Sequence, residues 1–133
     1  MNRLFLLAGA IVLAAVSGTS IRAEDEGKVT PTKAIMKKVH GKGGLQSKVS
    51  AALKEKKSDE AAEAAKEWFE LAKALTKNPC KKGDAESWKK QTGTYCVCVK
   101  TLNEAIEAKD AKKAQGAMGK IGSMCKTCHS AHR

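Results

Sequence analysis

From residue 29 onward the apolar residues recur every three or four positions, and no stretch alternates apolar and polar residues in the manner of a strand. That period is the mark of helices buried along one stripe. Ile35, Met36, Val39 and His40 form the first group. Thr30-Pro31 precedes it, and the threonine is expected to cap the helix with the proline in its first turn. Gly41-Lys42-Gly43-Gly44 then weakens or bends the helix before Leu45, Val49, Ala52 and Leu53 resume the stripe. Ser58 is expected to cap a second helix, with Ala61, Ala65, Trp68, Leu71 and Leu75 inward and Asn78-Pro79 as its stop. Asp84 caps a third, whose inward residues are Trp88, Tyr95, Val99, Leu102 and Ile106. Asp110 caps a fourth, along which Ala111, Ala114, Met118, Ile121, Cys125, Cys128 and His132 repeat as a bundle seam does. Four amphipathic segments with mostly short links predict an all-α fold, an antiparallel four-helix bundle.

The composition supports helices and raises a difficulty. Alanine, lysine and glutamate dominate, and aromatic residues make up only 4%, so the inward positions carry many alanines and few large side chains. A bundle this small is thinly stabilised by such a core. The pattern therefore predicts that something besides side chains fills the interior.

Residues 1–23 stand apart. Arg3 begins them, an apolar run from Leu4 to Val16 follows, and Ile21-Arg22-Ala23 closes them as a cleavage site. This is the layout of a secretory signal peptide, with an apolar core too short to serve comfortably as a membrane anchor. No cysteine follows the apolar run, so a lipid anchor is not indicated. The expected organisation is a signal peptide over 1–23 and one domain over 24–133, placed in the periplasm or otherwise exported from a bacterium. Loss of Arg3 and Arg22 takes the formal charge from +11 to +9. A surface so basic suits nucleic acid, anionic membranes or an acidic protein. Export argues against nucleic acid and leaves an acidic redox partner as the expectation.

Five cysteines, an odd number, cannot all pair within one exported chain. Two of them lie in Cys125-Lys126-Thr127-Cys128-His129, the C-x-x-C-H signature of covalent haem c attachment. Positions i, i+3 and i+4 share one helix face. The two thiols can each add across a porphyrin vinyl group while the imidazole reaches the iron as its fifth ligand. A haem would also supply the missing core volume. Two other readings are weaker. A thioredoxin-type C-x-x-C opens a helix after a strand, and no strand pattern is present. A zinc site from Cys96, Cys98, Cys125 and Cys128 meets the objection that Cys96 and Cys98, two apart on a helix, point to different sides. The same divergence prevents a bridge between them, and a Cys80–Cys96 bridge would have to span ~18 Å of helix. Cys80, Cys96 and Cys98 are left as buried small hydrophobes or as links between subunits.

A signal peptide, four helices and the ending Cys125 to Arg133 together resemble the cytochrome c′ / cytochrome c-556 family, the class II c-type cytochromes. The likeness covers the whole mature chain in architecture, and its specific motif is confined to the last nine residues. It implies one covalent haem c held by Cys125 and Cys128, with His129 as proximal iron ligand and Arg133, four positions after it, beside the haem edge or propionates. Where the family often has an aromatic residue just before that arginine, this chain has His132. The first helix faces the sixth iron position in the family, and Met36 falls where the distal residue would be. A thioether there stabilises ferrous iron; His40, one turn on, is the rival ligand. The resemblance implies an exported monohaem electron-transport protein, not an enzyme, that passes single electrons between redox partners. The alternative is a five-coordinate haem protein that binds nitric oxide or carbon monoxide. It also implies that a homodimer can form through the first two helices.

Overall fold

The computed structural model describes residues 29–133; the expected signal peptide lies outside them. Among the described residues all regular structure is helical: α1 (Thr32–His40), α2 (Leu45–Lys54), α3 (Ser58–Lys77), α4 (Ala85–Glu107) and α5 (Ala111–His132). The first of the four expected helices is thus broken in two. The cause is local. A Cβ on Gly44 would collide with the backbone carbonyls of Val39 and Lys38, so only glycine lets the chain fold back this tightly on the end of α1.

Two of the expected caps form. Asp84 accepts a hydrogen bond from the Ser87 backbone N–H, and Asp110 accepts one from that of Lys113, each satisfying an otherwise orphaned donor. The other two do not. Pro31 itself occupies the cap of α1 with no side-chain bond, and the Thr30 carbonyl instead accepts from Asn78 Nδ2. Ser58 is the first residue inside α3, behind Lys57, because α2 ends in a tight turn with Lys56 in the left-handed region (φ 58°) and the Lys57 N–H bonded to the Ala52 carbonyl.

Packing follows chain order. The main seams join α2 to α3, α3 to α4 and α4 to α5, while α1 rests more lightly on α2 and α3. The core is built largely from small residues, with Ala61, Ala64, Ala65, Ala72, Ala105, Ala114 and Ala117 buried beside Trp68, Leu102, Ile35 and Ile121. Alanine stripes let helix backbones approach closely. Along α5 the expected inward face holds at Ala114 and Ile121, whereas Ala111 is exposed and Met118, Cys125, Cys128 and His132 are half-buried. No helix among the described residues is long and apolar enough to cross a membrane.

The far end of α5 is fastened to the α3–α4 link. His132 Nδ1 donates to the Lys82 carbonyl at 2.9 Å and its Nε2 lies 3.2 Å from Ser87 Oγ. Its ring stands edge-on to Trp88 with centroids 5.4 Å apart. Gly83, at φ +88°, permits the contact, since any side chain there would meet Ala131 and His132.

Candidate functional site

α1 and α5 do not pack closely on one another, and between them lies a cavity of about 260 Å³. Every helix contributes to its wall. α1 supplies Met36 and His40, α2 Gln46, α3 Leu75, α4 Gln91, Thr92 and Tyr95, and α5 Met124, Cys125, Cys128 and His129. The surroundings are mainly aliphatic, aromatic and sulfur-bearing, the setting in which a large apolar group gains most from leaving water.

The wall formed by α5 carries the chemistry. Helical spacing puts Cys125, Cys128 and His129 on one face, and all three line the cavity. Both thiols are free and half-buried. The Cys125 S–H points back to the Ile121 carbonyl, 3.5 Å away. Burial, and then the neighbouring sulfurs of Cys125 and Cys80, push the Cys128 thiol above its ordinary value, so it rests as the neutral thiol. His129 is exposed, so the cavity reaches the surface along this side. Met36 faces this wall from α1 and is half-buried. A thiol pair and an imidazole therefore stand on one side of an apolar space, with a thioether on the other.

His40 also lines the cavity, but its ring is engaged within the protein. Nδ1 lies 2.7 Å from Gln46 Oε1 and Nε2 2.9 Å from Tyr95 Oη. Tyr95 in turn accepts from buried Trp68 Nε1 at 2.6 Å, and its own burial drives the phenol above its usual ionisation range. Gln91 Oε1 is buried without a hydrogen-bond partner, while Gln91 Nε2 donates to Ser87 Oγ. Arg133 is exposed just beyond α5 and is not part of the cavity wall.

The remaining cysteines diverge as their spacing requires. Cys98 lies on the α5 side of α4, with its sulfur 3.9 Å from Met124 Sδ. Cys96 lies toward α3, where burial raises its thiol and the Lys73 ammonium partly offsets the rise. All five cysteines are free. Among the described residues no three His, Cys, Asp or Glu side chains converge as a metal cluster, so the four cysteines weighed for zinc are not gathered.

The sequence pattern did not single out Gln46, Gln91 or Thr92 as cavity residues, nor the Trp68–Tyr95–His40–Gln46 chain. Polar residues in helices read as solvated faces, and Tyr95 and His40 are 55 positions apart. The only available sign was that Tyr95 and His40 both fall on inward stripes. Compared with known proteins, the chain matched no family model, no curated relative and no solved structure.

Proposed function

We propose that the cavity is the seat of one covalent haem c, and that the protein is an exported one-electron carrier of the cytochrome c′ / c-556 type, a four-helix bundle closed around its cofactor. The observation that carries this reading is the convergence, on one apolar cavity, of Cys125, Cys128 and His129 from the last helix with Met36 from the first. The residues fit the group. Two thiols three positions apart can each add S–H across a vinyl substituent, a step that needs no external oxidant. His129, next in the chain, is the proximal donor. Met36 is the distal donor, a soft thioether that favours the ferrous state. Haem supplies reversible one-electron chemistry when bound, and the chain's own part is to tether it, choose its ligands and exclude water.

The cavity side left open at His129 suits a carrier, because electrons pass most readily where the cofactor edge is near the surface. Lysine-rich helix faces make an acidic protein the natural docking partner.

The test is the absorption spectrum and mass of the exported protein. The reading requires a mass above that of the bare processed chain by one haem, and a reduced low-spin spectrum that carbon monoxide leaves unchanged. A colourless protein refutes haem attachment. A coloured one whose reduced spectrum shifts with carbon monoxide refutes Met36 ligation and supports gas binding.

A further inference from the structure

Two strong iron donors lie on the same side of the cavity, Met36 and, one helical turn later, His40. An imidazole is the better ligand for ferric iron, so Met36 can serve only if His40 is kept away. The hydrogen-bond chain does this, and its direction follows from one fixed donor and one fixed acceptor. The Trp68 indole N–H can only donate, and it does so to Tyr95 Oη at 2.6 Å. At the other end Gln46 Oε1 can only accept, so His40 Nδ1, 2.7 Å away, carries the ring's proton. The Nε2 lone pair is then the acceptor for the tyrosine's own hydrogen, 2.9 Å away. In this tautomer each donor in the chain meets one acceptor. The ring is also braced edge-on against Trp68 and Tyr95, with centroids 5.7 and 6.0 Å away.

We infer that Tyr95 and Gln46 are positioning residues that withhold His40 from the iron, occupying the Nε2 lone pair and the Nδ1 proton and so assigning the sixth position to Met36. The inference rests on the haem reading above. A nitrogen lone pair that accepts a hydrogen bond cannot at the same time be given to a metal. The choice of axial ligand is thereby made away from the cofactor, by a hydroxyl and an amide on α4 and α2.

The test uses the haem-loaded protein and its Tyr95→Phe and Gln46→Ala variants. Phenylalanine keeps the ring packing and removes the hydroxyl. The loaded Tyr95→Phe protein is expected to exchange its thioether-type spectrum for that of a bis-imidazole haem and to fall in reduction potential. Adding His40→Ala should restore the thioether spectrum, a reversal that general loosening of the fold would not produce. Gln46→Ala, at a half-buried position, should shift the ligand set in the same direction and carries the test if Tyr95→Phe does not load. Unchanged ligation in both variants, or a bis-imidazole spectrum in the parent protein, overturns the inference while leaving haem attachment intact. A parent protein without haem absorbance removes the reading beneath it.

Discussion

Replacing Cys125 and Cys128 together by alanine should unfold, or nearly unfold, this protein, although neither side chain is a large part of the core. The magnitude comes from the cavity. At about 24 cal/mol for each Å³ left empty in an apolar interior, a space of about 260 Å³ corresponds to about 6 kcal/mol. Water at the open side and inward bending of Met36 and Met124, both flexible, reduce this to about 3–6 kcal/mol. A small domain has a total stability of only about 5–15 kcal/mol, and this one has an alanine-rich core at the weak end of that range. The assay is urea denaturation followed by far-ultraviolet circular dichroism, comparing the haem-loaded protein with the Cys125→Ala/Cys128→Ala chain. The variant should be partly helical at best in buffer, or should unfold with a stability lower by the amount above. A difference below about 1 kcal/mol would refute the reasoning, because it would mean that nothing bulky occupies the cavity in the native protein.

Other perturbations separate ligand, fold and pH effects. Met36→Ala should leave haem attached while opening the sixth position, so that carbon monoxide now shifts the reduced spectrum; insensitivity equal to the parent would exclude Met36 as ligand. Asp110→Ala removes the 2.9 Å bond to the Lys113 N–H and should cost about 1 kcal/mol in urea denaturation without altering the spectrum. Tyr95 resists ionisation when folded, chiefly because it is buried. Its raised folded value means that the stability it contributes is whole below the ordinary phenol value of 10.0 and is lost as pH climbs above it. The denaturation midpoint should therefore fall above pH 10.0, and Tyr95→Phe should soften that fall; an equal decline in both proteins would show that Tyr95 is not the group responsible.

The sequence made some of this molecule readable and hid the rest for physical reasons. Asp84 and Asp110 were legible as caps because their side chains act on backbone N–H groups three residues away, a local interaction. Thr30 and Ser58 have the same chemistry and failed, since the chain's path at Pro31 and at Lys56 was decided by distant or backbone terms. Thr30 lends its carbonyl to Asn78, 48 positions on. The Cys125, Cys128 and His129 face was legible from spacing alone, and the all-helical character from period and composition. The cavity itself was foreseen only as missing volume. Its position between α1 and α5, and the polar atoms of Gln46 and Gln91 on its wall, depend on how separate helices meet, which no single-helix pattern encodes.

The break at Gly44 has one more effect. α1 is only nine residues long, too short to hold a helical shape by itself in water, and what keeps it in place is the burial of Ile35 and Val39 together with the bonds from His40 to Gln46 and Tyr95. The piece that carries Met36 and His40 is thus, among the described helices, the one most lightly packed on its neighbours, and glycines join it to the next. Movement of this one short rod would open the cavity wall that it forms while the seams joining α3, α4 and α5 stayed closed.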